Sequence, residues 1–181
     1  MTLIQKDNQK EEQESSNESQ AEVVDTERDN EANDSVDSNA MPIMSGTSID
    51  SVIKVASNYG LSEQYEDNFG HGTKMKSFSD SSGGLMMDVI YSSSTKEILC
   101  ATITTNKLAN SSTQKKFVKG IAGSICPSAD SSDISSWVSS NVGSNQKKEQ
   151  GGFTYELSLG PVDNVLYFAG EKEWSAWDSK Q

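Results

Sequence analysis

The sequence is poor in the residues that metal sites and redox sites use most. Its 181 residues include one histidine and two cysteines. Zinc sites normally gather several imidazole or thiolate ligands, so His71 alone does not indicate a metal site and is interpreted as a polar loop residue. Cys100 and Cys126 allow at most one internal disulfide, and two cysteines do not decide between an oxidising and a reducing compartment.

Motifs for nucleophilic and phosphate chemistry are also missing. The sequence contains no Gly-x-Ser-x-Gly elbow and neither of the common glycine-rich phosphate loops. A Cys-His pair would need Cys100 or Cys126 beside His71. Cys100 falls in the middle of a predicted strand, where a small buried thiol is the usual outcome. We therefore expect no enzymatic activity, no metal and no cofactor.

Long apolar runs are absent as well. No run approaches the ~20 residues that cross a bilayer, and the apolar part of residues 1–5 is too short for a signal peptide. We expect no membrane insertion by the chain itself. Either the protein is cytoplasmic, or a signal segment that could carry a lipid anchor has been removed upstream.

What the sequence has in excess is negative charge, and most of the net charge lies at the start. The formal net charge is −12, and residues 1–40 carry twelve Asp or Glu against three Lys or Arg. This stretch has too few apolar residues to offset the entropy of ordering it. We predict a disordered acidic leader at residues 1–46, one domain at 47–172 and a polar tail at 173–181. The acidic balance argues against nucleic acid or an anionic membrane as a partner, because both need a basic face.

Helices and strands are predicted from the spacing of apolar residues and from turn signals. Residues 61–72 and 145–150 are polar and are predicted to be loops, with Tyr65 and Phe69 as anchors in the first. The predicted helices cover residues 48–59, the stretch from Ser112 or Thr113 to Pro127, and the stretch from Ser131 or Ser132 to about Gly143. The predicted strands cover residues 73–79, both arms of a hairpin within 84–105, and residues 153–159 and 165–169.

These elements predict an α+β domain of two layers. Strands joined by short turns pair antiparallel, which gives a five-stranded antiparallel sheet with about three helices on one face. A helix followed by a hairpin occurs twice in the element order, so a duplicated helix-hairpin unit is a further hypothesis.

The hairpin at 84–105 carries a choice of register that also concerns the cysteines. If Asp88 faces water, then Val89 and Tyr91 face inward. An odd number of turn residues places these beside Ala101 and points Cys100 away from the helices, whereas an even number points Cys100 towards the helix that precedes Cys126. The hydrophobic pattern favours the first register, and we therefore predict free thiols.

The acidic, Ser/Asn/Gln-rich leader ahead of a small helix-and-sheet domain resembles the mature part of Gram-positive cell-envelope lipoproteins. In that family a lipidated cysteine before the leader tethers the domain outside the cell. No cysteine precedes Cys100 here, so the resemblance implies that Met1 replaces a signal segment and its cysteine. The doubled helix-then-sheet order is similar to the TATA-binding-protein-like and β-lactamase-inhibitor-like folds.

Two functions are compatible with this sequence. The first is a non-catalytic extracellular binding or protein-interaction module, attached to the cell envelope by the acidic leader and taking a protein or a small ligand. The alternative is an inhibitor or immunity-type protein that docks on a partner enzyme through its sheet or loops. In both cases the candidate binding residues are exposed apolar side chains of the hairpin and the tail: Met86, Ile90, Trp174 and Trp177.

Overall fold

The framework of the fold is one antiparallel sheet. The computed structural model describes residues 39–106, 111–160 and 164–181. Its strands are β1 (Ser62–Gly70), β2 (Thr73–Ser79), β3 (Leu85–Ser92), β4 (Ile98–Thr105), β5 (Gln146–Gln150), β6 (Phe153–Leu159) and β7 (Val165–Ala169). They lie side by side in the order β1-β2-β3-β4-β7-β6-β5, and every neighbouring pair is antiparallel.

The prediction of five strands is wrong, because the sheet has seven. The two additional strands, β1 and β5, form its two edges. All nine residues of β1 are exposed, and β5 reads Gln-Lys-Lys-Glu-Gln, so neither shows the apolar alternation by which strands are predicted. Polar and charged side chains are a common way to protect a sheet edge from pairing with other chains. The predicted polar loops at 61–72 and 145–150 therefore contain strands.

Helices cover both faces of this sheet rather than one. The helices are α1 (Ile49–Asn58), α2 (Ser112–Ala122), α3 (Ser131–Asn141) and α4 (Glu171–Asp178). The first two begin with a serine whose hydroxyl accepts a main-chain hydrogen bond: Ser48 from Asp50 and Ser111 from Gln114, each over 3.2 Å. This is the standard way to satisfy a helix start. Within the described residues, no helix combines the length and the apolar content needed to cross a bilayer.

The inner face of the sheet, defined as the face under α1, α2 and α3, holds the main core. That core joins residues of these three helices to alternate residues of the central strands. The fourth helix, α4, lies on the opposite, outer face, where it contacts β4 and β6. The predicted repeat of a helix and a hairpin does not describe the fold, since α1 precedes four strands whereas α2 and α3 precede three.

The register of the β3–β4 hairpin follows the hydrophobic pattern, as predicted. Val89 lies opposite Ala101 in the core, and Ile90 lies opposite Cys100 on the outer face. A bulge at Leu99 then brings Ile98, rather than Leu99, opposite Tyr91. Cys100 therefore points away from the helices, and the prediction of free thiols is confirmed, since Cys100 and Cys126 are both unpaired and buried.

An ion-pair network attaches the polar strand β1 to the inner face. Lys76, only 8 % exposed, contacts Glu63 over 2.7 Å and Glu66 over 2.8 Å. Glu66 also accepts hydrogen bonds of 2.7 Å from Lys74 and from the hydroxyl of Tyr91. Charged side chains thus occupy the part of the inner face beside β1, and they replace the apolar contacts that β1 does not supply.

Candidate binding site on the outer face of the sheet

Helix α4 forms because the chain makes a tight left-handed turn directly after β7. Gly170 has φ = 67°, a conformation that side chains with a Cβ rarely adopt. A Cβ at this position would lie 2.3 Å from the main-chain oxygen of Leu99. Glu171 and Glu173 follow in the first turn, where acids interact favourably with the helix dipole. The turn folds α4 back over the outer face.

The two tryptophans of α4 attach it to the chain segments around it. Trp177 is buried and donates its indole N–H to the main-chain oxygen of Asn39 over 2.9 Å. The ring of His71 meets the ring of Trp177 edge-on at 6.2 Å, and the ring of Phe69 lies 5.5 Å from that of Trp174. The predicted polar tail therefore contains a docked helix, and its tryptophans contact this protein's own residues.

The four predicted binding residues lie in two different environments. Trp174 and Trp177 belong to α4 and are partly and almost fully buried, respectively. Met86 and Ile90 share the outer face of β3, four residues apart, yet Met86 is 44 % exposed and Ile90 is 7 % exposed. The part of the outer face that α4 and its neighbouring segments cover therefore ends between Met86 and Ile90.

Beyond that boundary lies what we call the open half of the outer face, defined by Tyr65, Met86, Asp88, Thr104 and Leu166. Met86 lies opposite Thr104, which in turn lies opposite Leu166. Tyr65 on β1 is 47 % exposed. Exposed aromatic and methionine side chains within a polar border are found at many protein interfaces.

Next to α4 lies a cavity of about 430 Å³, which we call the α4 cavity. It is lined by Thr154, Glu156, Phe168, Glu171, Lys172 and Ser175. Three of these residues come from α4 and three from the outer faces of β6 and β7. Partial burial raises the pKa of the Glu171 carboxyl, and the charge of Glu156 raises it further.

The two thiols are buried, and His71 contacts an aromatic ring. Burial raises the pKa of Cys100 and of Cys126 to about 12, so both stay protonated and unreactive at neutral pH. His71 lies in the β1–β2 turn with φ = 47° and faces Trp177. In the part of the chain that the structure describes, no three His, Cys, Asp or Glu side chains are grouped as metal ligands.

The sequence pattern places Met86 on the outer face, but it does not indicate the residues of the α4 cavity. Glu156 alternates with apolar residues in β6, which marks it as a residue of the outer face, yet nothing in that pattern distinguishes it from any solvent-exposed acid. Glu171 and Lys172 become part of a cavity only because Gly170 turns α4 back onto the sheet. The short, polar sequence of α4 does not indicate this docking.

Comparisons with protein-family models, with curated proteins and with solved structures find no match to this chain.

Proposed function

We propose that this protein is a non-catalytic binding module that engages another protein through the open half of its outer face. The observation that carries this proposal is the contrast between Ile90 and Met86. α4 and the segments around it cover one part of the outer face, and the other part keeps Met86 and Tyr65 exposed. An exposed apolar centre on a sheet is a recurrent mark of an interaction surface.

The buried thiols also support a binding role. Both have a pKa raised to about 12, which disfavours thiolate chemistry at neutral pH. The alternative, an inhibitor or immunity-type protein, would use the same open half against a partner enzyme. The two versions differ in the partner, not in the surface.

We further propose that the domain is displayed outside the cell and attached to the envelope through its acidic leader. The leader's composition, and its resemblance to the leaders of Gram-positive envelope lipoproteins, support this location. The test is protease treatment of intact cells that carry the natural gene with a C-terminal tag. Digestion of the tag before cell lysis is expected, and protection of the tag until lysis would place the protein in the cytoplasm instead.

The interaction surface is tested by photo-crosslinking from single positions of the full chain. A photoreactive residue in place of Met86 should give a discrete crosslinked product that excess unlabelled wild-type protein suppresses. Leu159 is the matched control, because it is also apolar and 42 % exposed but belongs to the inner-face register of β6. Equal crosslinking from both positions, or none from position 86, would contradict the proposed surface.

A further inference from the structure

The α4 cavity is lined by two carboxylates and one lysine, Lys172. Glu156 enters it from β6 and Glu171 from α4, and the ring of Phe168 contributes an aromatic surface. Neither carboxylate forms an ion pair with a basic side chain among the described residues. A volume of about 430 Å³ lies within the range of small-ligand pockets, about 300–1,000 Å³.

This arrangement disfavours the ionised form of Glu171. Its pKa is raised, first by partial burial and then by the negative charge of Glu156. Two like charges that face one partly enclosed volume repel each other, and a cation placed between them removes that repulsion. With two carboxylates against the one ammonium group of Lys172, the charge of the α4 cavity favours a positively charged occupant.

A third carboxylate at the border of the cavity, that of Glu173, has one oxygen without a hydrogen-bond donor. The hydroxyl of Thr154 lines the α4 cavity and donates to Oε1 of Glu173 over 2.7 Å. Oε2 of Glu173 is buried and has no partner among the described residues. A buried carboxylate oxygen without a donor is unfavourable, and this observation is independent of the Glu156 and Glu171 pair. Glu156 accepts one hydrogen bond, from the Ser158 hydroxyl over 3.4 Å, and as carboxylates all three acids can accept further donors.

We infer that the α4 cavity binds a guanidinium or ammonium group, with an arginine side chain as the best fit, against Phe168 and between Glu156 and Glu171. A guanidinium carries five N–H donors and no acceptor, and its flat face stacks on aromatic rings. Lys147 and Lys172 line an adjoining depression on the other side of Glu156, where they would repel a ligand's cationic group. A free small molecule and a peptide segment can both supply the arginine group, since the chemistry recognised is the same.

This site uses residues outside the open half and does not depend on the proposed protein partner. A failure to crosslink from position 86 would contradict the proposed function only, and a failure to bind in the α4 cavity would contradict this inference only.

The experiment is a titration of the full, isotope-labelled chain with N-acetyl-arginine amide, followed by NMR. We expect shifts of the amides of Thr154, Phe168 and Ser175, and no comparable shifts with the uncharged analogue N-acetyl-citrulline amide. The double variant Glu156→Gln/Glu171→Gln should bind at least about tenfold more weakly, because it loses two charge-assisted contacts. Lys172→Gln should bind more tightly, because it removes a repelling charge.

The matched control is Asp67→Asn, which removes one exposed acid of β1 outside the cavity and should leave the affinity unchanged. A peptide Gly-Arg-Gly distinguishes the two sources of the group: tighter binding than the amide indicates a peptide ligand, and equal binding indicates that the side chain alone is recognised. The inference is overturned if the arginine amide does not bind at millimolar concentration, if the citrulline analogue binds equally well, or if Asp67→Asn weakens binding as much as the double variant. The chemical-shift changes of the wild-type chain with the arginine and citrulline amides already test the inference, so the test remains valid even if a variant folds poorly.

Discussion

Trp177 donates its indole N–H to the main-chain oxygen of Asn39, 2.9 Å away, although 138 positions separate the two residues. This bond links the last helix to the first described residues. Trp174, three positions earlier on α4, has a buried indole nitrogen without a partner among the described residues. The two tryptophans therefore contribute differently to the docking of α4, which makes them a matched pair for mutation.

We predict that Trp177→Phe destabilises the docked α4, whereas Trp174→Phe does not. The first change removes a satisfied hydrogen bond, which contributes about 1 kcal/mol to stability. The second removes a buried donor that has no acceptor, so it should be neutral or slightly stabilising. Thermal melts and hydrogen exchange of the α4 amides measure both effects. Equal destabilisation by the two changes would show that the bond to Asn39 does not hold α4 in place.

The turn at Gly170 offers a second test of how α4 is positioned. Gly170→Ala should strongly destabilise the docked helix, because the new Cβ would lie 2.3 Å from the oxygen of Leu99 in addition to the strain of φ = 67°. Gly60→Ala is the control, since Gly60 has φ = 75° and no atom lies within 4 Å of the place that its new Cβ would take. It should cost only the backbone strain, about 1–2 kcal/mol. Similar losses of unfolding free energy in both variants would exclude the steric contact as a cause.

The network around Glu66 predicts an acid-dependent loss of stability. Hydrogen bonds from Lys74, Lys76 and Tyr91 lower the pKa of Glu66 from 4.5 to about 2. Because the folded pKa lies below the unfolded value, this carboxylate stabilises the fold above about pH 4.5, and the contribution disappears as the pH falls towards 2. Glu66 is partly exposed, so solvent screening limits the effect to about 1 kcal/mol.

The measurement is the free energy of unfolding in denaturant between pH 6 and pH 2. Glu66→Gln should lower stability at pH 6 and flatten the acid limb of the curve. Asp67→Asn, one position along β1, is the control and should keep the slope of the wild type. An unchanged slope in Glu66→Gln would mean that other carboxylates cause the acid sensitivity.

The sequence predicted the centre of this fold better than its edges, for a physical reason. Residues such as Val89, Ala101 and Ile103 alternate because one face of each central strand is buried, and that pattern sets the register. The edge strands β1 and β5 are paired on one side only and carry polar residues, so their strand character comes from hydrogen bonds to β2 and β6 that no local pattern records. The same limitation explains the error in strand number.

The candidate site divides in a similar way. Met86 and Ile90 lie on the same side of β3 as Asp88, so the sequence places both on the outer face, but it does not indicate which of the two is covered. The α4 cavity does not stand out, because it forms between Glu156 and Glu171 only after α4 has docked. That docking depends on contacts such as Trp177 with Asn39, which join residues far apart in the chain.

The final prediction concerns the thiols and follows from the register of the β3–β4 hairpin. Cys100 faces outward beneath the cover of the outer face and Cys126 lies in the inner core, so the sheet separates them. We expect a thiol reagent such as Ellman's reagent to label neither cysteine in the native protein at neutral pH, because both thiols are buried with a pKa of about 12. Both should react in guanidinium without prior reduction, and a reducing agent should leave the melting temperature unchanged. Labelling in guanidinium only after reduction would reveal a disulfide, and a disulfide would require the alternative register in which Cys100 turns towards the helices.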